Sequence, residues 1–205
     1  FEDASVSVSN RHKVGLVGRN GAGKSTLLRL IMGELEADSG GIKIQRNTRV
    51  GTVAQQTPEG DQTPREFVLE ADTERSALLT EAETAEDPTR IAEIHARLAD
   101  IGSETAPARA AAILAGLGFD EEAQNWPLNR FSGGWRMRVA LAATLFSKPD
   151  LLLLDEPSNH LDLETRLWLE SHLVAYQGTI VLISHDRYLL NTIVDTIVHL
   201  DDLRL

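Results

Sequence analysis

The run Gly18-Arg19-Asn20-Gly21-Ala22-Gly23-Lys24-Ser25 follows the spacing G-x-x-x-x-G-K-[ST]. Glycines so placed let the backbone curl until successive N–H groups point at one anion, and a helix opening near Lys24 adds the positive end of its dipole. The Lys24 ammonium can then reach β- and γ-phosphates, while the Ser25 hydroxyl ligates Mg²⁺. The chemistry is a cradle for the phosphates of ATP, built from Gly18, Asn20, Gly21, Ala22, Gly23, Lys24, Ser25 and Thr26. The plainer reading, a glycine turn joining a strand to a helix, explains less of this context. A second group lies far along the chain, where the apolar run 151–154 ends in Asp155 and Glu156. At the end of a central strand, Asp155 can hold the Mg²⁺ hydration shell. One residue on, Glu156 can orient or deprotonate an attacking water. Alone, such a pair could be two solvated loop carboxylates; together with the cradle it describes phosphoanhydride hydrolysis.

The surrounding pattern supplies the elements that would hold these groups. Val6 and Val8 alternate with serines as a half-buried strand, Asn10-Arg11-His12 turns, and 14–17 returns as a buried strand into the glycine loop. An amphipathic helix over 24–32 stops at Gly33, and Gly40-Gly41 introduces strands at 42–44 and 49–54. Helix-forming Ala, Glu and Arg then dominate to about Leu117. Ile91, Ile94, Leu98 and Ile101 form a stripe for a partner helix, and Asp87-Pro88 breaks the region into a helical hairpin. From Ser132 the order is helix to Phe146, strand 151–155, helix 163–175, strand 179–183, short helix 187–192 and strand 196–200. Such alternation predicts an α/β fold: a P-loop core with a mostly parallel sheet, a small antiparallel β subdomain and an inserted helical subdomain. The core falls at 1–60 and 136–205, and the helical insertion at 61–135.

The formal net charge of −11 is concentrated in 61–123, which holds 15 Asp/Glu against 5 Arg/Lys. An acidic surface repels phosphate backbones, so this segment is a poor nucleic-acid binder and direct DNA binding is not expected. A solvated helical face accounts for most such runs, and a basic protein surface is the other partner it suits. The chain contains no cysteine, which excludes disulfides and thiolate metal sites and fits a cytoplasmic location. No apolar run approaches the roughly 18–20 residues of a membrane span, so a membrane setting is not expected. The chain opens inside a strand-like segment, which points to sequence ahead of Phe1.

Beyond the phosphate loop, Phe131-Ser132-Gly133-Gly134-Trp135-Arg136-Met137-Arg138 resembles the signature motif of ATP-binding cassette (ABC) domains, just ahead of the 151–156 strand as that family requires. Asp155-Glu156-Pro157-Ser158-Asn159-His160-Leu161-Asp162 resembles the strand-end carboxylates running into the D-loop. Ser184-His185-Asp186 is similar to the switch-histidine segment, and Gln55 to the Q-loop glutamine, with Gln56 beside it as the alternative. Five motifs in family order span the whole chain. The resemblance implies one ABC nucleotide-binding domain over 1–205, an ATPase active only when paired with a second cassette. It implies that Gln55 touches Mg²⁺ and senses the γ-phosphate, and that His185 holds the γ-phosphate and Glu156 in line. Ser132, Gly133 and Gly134 would cap the γ-phosphate bound to the facing domain, and Asp162 would cross the interface. The metal set is then Ser25, Gln55 and Asp155, and the catalytic set Glu156, His185 and Gln55. The Gly-Gly-Trp-Arg-Met-Arg and Ser-Asn-His-Leu-Asp wording resembles the ABC-F proteins, soluble two-cassette factors that act on the ribosome, and implies the first cassette of such a chain. The alternative is the nucleotide-binding subunit of a membrane transporter. Phe1, the lone aromatic upstream of the loop, lies too near it to stack on adenine.

Overall fold

The computed structural model describes residues 5–53, 57–159 and 161–200. In chain order the elements are β1 (Lys13–Gly18), α1 (Lys24–Ile31), β2 (Val50–Thr52), α2 (Pro64–Glu70), α3 (Thr73–Thr84), α4 (Pro88–Asp100), α5 (Ala106–Gly116), α6 (Gly133–Phe146), β3 (Leu151–Asp155), α7 (Leu163–Ala175), β4 (Thr179–Ile183), α8 (Arg187–Ile193) and β5 (Thr196–Leu200). They form two units, one from 1–53 and 148–205, the other from 54–147.

The first unit is an α/β layer structure. Its five strands lie in the order β2-β3-β4-β1-β5, every neighbouring pair parallel. Leu152, Leu153 and Leu154 are fully buried and every residue of β4 is buried, the sign of strands covered on both faces. Helix α1 packs on this sheet through Leu27, Leu28 and Ile31, which meet Leu16, Leu153, Val181, Ile183 and Leu200. Each such side chain contributes about 1.5–3 kcal/mol when fully buried, enough to fix on the sheet the helix that follows the loop. The strands approach closely where that loop leaves: Gly18 pairs with Leu200, and a Cβ on Gly18 would stand 2.4 Å from the Leu200 carbonyl oxygen. Glycine is required there by space.

The antiparallel β subdomain expected from the alternation at 6–8 and 42–44 does not form among the described residues. Residues 5–9 and 41–45 are in no strand, and Val6, Val8, Ile42 and Ile44 are 49%, 38%, 45% and 39% exposed. Alternation marks a chain able to bury one face, but pairing needs a neighbouring strand, and these segments instead border an open groove of about 1400 Å³ with Leu27, Leu30 and Ile31. The strand expected at 49–54 is shorter, Val50–Thr52, and runs parallel to β3.

The second unit is helical. Its core is α2, α5 and α6 packed on one another, with Val68, Ala110, Leu114, Val139 and Ala142 fully buried. Arg109 of α5 lies 4.4 Å over the Phe146 ring of α6. Helix α6 therefore folds with the helices before it, and the unit runs to Ser147 where the sequence pattern placed its end at 135. Asp87-Pro88 starts α4, Asp87 accepting a hydrogen bond from Thr89 N at 3.1 Å and Pro88 taking the first turn. The α3–α4 hairpin is clipped by Arg90–Glu81 at 2.7 Å and Arg97–Glu74 at 2.6 Å, so part of the segment's acidity is used within it. These pairs are exposed, so water and salt screen them and they add little to stability.

Gly18→Ala is expected to push β5 from β1 and lower unfolding free energy by about 1–3 kcal/mol, read from urea denaturation. Unchanged stability would mean the two strands tolerate a wider spacing.

Candidate functional site

The glycine loop begins where β1 ends. Ala22 N donates to the Arg19 carbonyl at 3.1 Å and closes a turn, while Gly21 and Gly23 take φ of 79° and 99°, angles open to glycine at no steric cost. Gly23 is the N-cap of α1 and no side chain caps the helix. The first amide bonded within α1 is Leu27 N, to Gly23 O at 2.9 Å. The N–H groups ahead of it at the helix start stand free for an anion. Lys24 folds back across the loop: its Nζ donates to Gly18 O at 2.9 Å and Arg19 O at 3.0 Å. Its side chain is buried, so the positive charge sits low in the cradle, held by neutral carbonyls that a phosphate can outbid.

The parallel register brings the distant carboxylates here. Ser25 Oγ donates to Asp155 Oδ2 at 2.6 Å. A hydroxyl and one carboxylate are the sparse oxygen donors suited to Mg²⁺, which keeps several waters and takes its remaining ligands from substrate phosphate. Glu156 follows at φ 48°, in the left-handed region that costs a non-glycine residue roughly 1–3 kcal/mol. Its N–H bonds to Ile183 O at 2.9 Å, fixing it to the end of β4. Its Oε1 is buried without a hydrogen bond and lies 3.7 Å from His185 Nε2. Burial pushes the Glu156 carboxyl above the usual carboxylate range, and the nearby His185 opposes this only in part. A raised carboxylate aimed into a phosphate cradle suits a base for water. His185 itself is mostly exposed, its side chain at 61%, free to meet a bound group.

These residues share one pocket of about 380 Å³, lined by Asn20, Gly21, Gly23, Lys24, Ser25 and Thr26 from the loop side and by Asp155, Glu156, Ile183 and His185 from the strand ends. Gly18 and Ala22 serve it through backbone bonds. The larger groove beside Val6 and Ile42 is lined by apolar side chains together with Arg11, Lys43, Arg46, Lys148 and Asp150.

The other sequence-derived residues lie elsewhere. Ser132, Gly133 and Gly134 belong to the helical unit, at the start of α6. Ser132 is in N-cap geometry (φ −66°, ψ 162°), yet its side chain caps nothing. Asp162 caps α7, accepting from Thr165 N at 3.0 Å. Gln55, its neighbour Gln56, His160 and Phe1 lie outside the described residues. One contact has no sequence signal: Arg166 of α7 pairs with Asp186, which also accepts from Tyr188 N and Leu189 N and so anchors the turn carrying His185. Only the tertiary fold joins residues twenty apart in this way.

The sequence pattern of the ABC transporter family matches residues 1–159. Over its full length the chain is 46% identical to the "Probable ATP-binding protein YheS" of Haemophilus influenzae, covering 33% of that protein. It is 44% identical, over 98% of the chain and 29% of the relative, to human ATP-binding cassette sub-family F member 3. The chain thus spans about a third of the length of the curated relatives it matches. Among solved structures, a dimeric ATP-binding cassette in a post-hydrolysis state with ADP and Pi superimposes with TM-score 0.69 at 22% identity, over 98% of this chain and 86% of that one. An archaeal ribosome recycling factor, crystallised with a ribosomal stalk protein, does so with TM-score 0.66 at 25% identity, over 94% and 32%.

Lys24→Ala removes the charge from the floor of the cradle. A loss of about 2–5 kcal/mol in nucleotide binding is expected, at least roughly thirtyfold in Kd, measured by calorimetric titration with ATP. Binding as tight as in the unaltered chain would remove the loop from consideration as the phosphate site.

Proposed function

Since the chain belongs to the ATP-binding cassette family, we propose that it is the ATP-hydrolysing first cassette of an ABC-F protein, a cytoplasmic ATP-driven switch acting on the ribosome. Its likeness over the whole chain to a sub-family F protein supports the assignment within the family. That relative and YheS are about three times as long, which leaves room for a second cassette. A ribosome recycling factor shares the fold with TM-score 0.66, as does the ATP-binding subunit of a transporter with TM-score 0.74, so the choice of the ribosome over a permease rests on the sub-family F likeness. No helix among the described residues is long and apolar enough to cross a membrane.

The hydrolytic reading rests on one observation: Lys24, Ser25, Asp155, Glu156 and His185 line a single pocket. The loop amides and Lys24 bind the β- and γ-phosphates. Ser25 and Asp155 hold Mg²⁺, which when bound offsets charge on the phosphate oxygens. Glu156 accepts the proton of the attacking water, and its raised pKa makes it a stronger base than an exposed glutamate. His185 bridges Glu156 and the γ-phosphate. Gln55, by its place in the family pattern, completes the Mg²⁺ shell. Ser132, Gly133 and Gly134 present free donors to the γ-phosphate of a facing cassette, so turnover requires pairing. ATP then closes two cassettes and hydrolysis releases them, a bistable device read out as a change of shape.

Glu156→Gln is expected to keep ATP affinity and lower turnover of the full-length protein by on the order of a hundredfold to ten-thousandfold. The base must be ionised to work, and its pKa is raised. The acid limb of the unaltered protein's pH–rate profile should therefore lie above the usual glutamate range and be absent from the residual rate of the variant. Normal turnover in the variant would show that another group handles the water.

Co-sedimentation of the full-length protein with purified ribosomes tests the partner. With Glu156→Gln and the matching change in the second cassette, association should appear with ATP and vanish without it. No association, in protein shown to bind ATP, would favour a membrane partner.

A further inference from the structure

The segment Ser132-Gly133-Gly134 contains little that could fix its own shape. The two glycines have no side chains, a Cβ on Gly133 would meet nothing within 4 Å, and the Ser132 hydroxyl caps no amide. The first bond inside α6 is Arg136 N to Ser132 O at 3.0 Å, so the donors ahead of it are unpaired within the helix. A site that must present several N–H groups to one phosphate needs them held, and here the holding comes from the flanks. Phe131 precedes the segment and Trp135 follows it, and both rings pack on the same buried side chain. Phe119 is fully buried, 5.5 Å from Phe131 and 5.0 Å from Trp135, edge-on to each at 69° and 80°. The Arg138 guanidinium lies 4.6 Å over the Trp135 ring and donates to Leu117 O at 3.3 Å, tying the second turn of α6 to the same corner. Phe119 is placed by the end of α5, where its N–H bonds to Leu114 O at 3.0 Å and Gly118 takes φ 94°. The exposed turn is thus a short bridge between two rings on one anchor.

We propose that Trp135 is a positioning residue for the signature segment: with Phe131 it clamps Ser132–Gly134 onto Phe119, so that the donors are set before a γ-phosphate arrives from the facing cassette. A preset array spends no binding energy on ordering itself. The inference rests on the paired-site reading, because the phosphate it serves belongs to the other cassette. The side chain itself touches no nucleotide. Losing the ring should leave nucleotide on the cassette's own loop unaffected while weakening capture of the nucleotide on the facing loop.

That asymmetry is the test. In the full-length protein carrying Glu156→Gln and the matching change in the second cassette, 8-azido-ATP is trapped, cross-linked and assigned to either phosphate loop by peptide mass spectrometry. Trp135→Ala should lower trapping on the second cassette's loop by roughly tenfold to a hundredfold and leave trapping on the Lys24 loop near that of the parent. Trp135→Phe, which keeps a ring edge against Phe119, should restore most of the loss. A thermal melt run alongside identifies a variant that has merely unfolded, which would lose both signals together. Parent-level trapping on both loops, or equal loss on both with an unchanged melt, overturns the clamp alone. Loss confined to the Lys24 loop overturns the paired-site reading and the clamp with it.

Discussion

The site depends first on the parallel register of two strands upon a third. Leu16 of β1 and Asp155 of β3 both stand opposite Ile183 of β4. Two residues past Leu16 the glycine loop begins; one past Asp155 stands Glu156; two past Ile183 stands His185. Parallel strands end on the same side, so groups more than a hundred residues apart arrive at one edge without any long side chain reaching for another. A slip of one residue in β3 would turn Asp155 to the opposite face and break its bond to Ser25. Full burial of Leu152, Leu153 and Leu154 makes that slip costly, since burial on both faces commits the whole strand. Core packing and chemistry are therefore one constraint expressed in two places.

Electrostatics then divide the edge into roles. Lys24 and the free amides of α1 make one wall positive, while Asp155 and Glu156 make the other negative. The two carboxylates differ although they are adjacent. Asp155 is exposed and accepts a hydrogen bond from the Ser25 hydroxyl. Glu156 is turned by its left-handed backbone toward His185, with one oxygen buried and unbonded. Neighbouring positions on a strand point oppositely by default; the φ of 48° aims the second carboxylate where a strand residue would not point. The strain is sustained by the bond from Glu156 N to Ile183 O.

Much of this was legible in the sequence because it is local. The loop spacing, the apolar run into Asp155, the Asp87-Pro88 helix start and the stripe that buries Ile94 and Leu98 depend on residues close together. What the sequence hid is long-range. Alternation at Val6–Val8 and Ile42–Ile44 looks the same whether or not a strand lies beside it, and among the described residues none pairs. Helix α6 begins at a signature segment that reads as a boundary, yet its packing on α2 and α5 places it with the helices before it. The backbone angle of Glu156 and the pairing of Arg166 with Asp186 follow from contacts that no window of residues contains.

The helix starts tie these threads together. Thr63, Asp72, Asp87, Asp162 and Asp186 each cap the helix that follows with a side-chain oxygen, a contact worth about 1 kcal/mol. Helix α5 has no such cap, but it continues a 3₁₀ turn and carries a proline in its first turn, which removes a donor. Among the described residues only α1 and α6 begin with neither device. For α1 the residue is Gly23, which has no side-chain oxygen to offer. For α6 it is Ser132, well suited to capping and correctly placed, yet its hydroxyl caps no amide. A fold that caps five helices where side chains allow and leaves two open, one inside the proposed phosphate cradle, forgoes stability at both. The cradle accounts for α1, whose first turn follows the glycine loop directly and carries Lys24 and Ser25. By the same reasoning the open start of α6 suits a second phosphate contact, and the aromatic clamp beneath it replaces the order that a cap would have given.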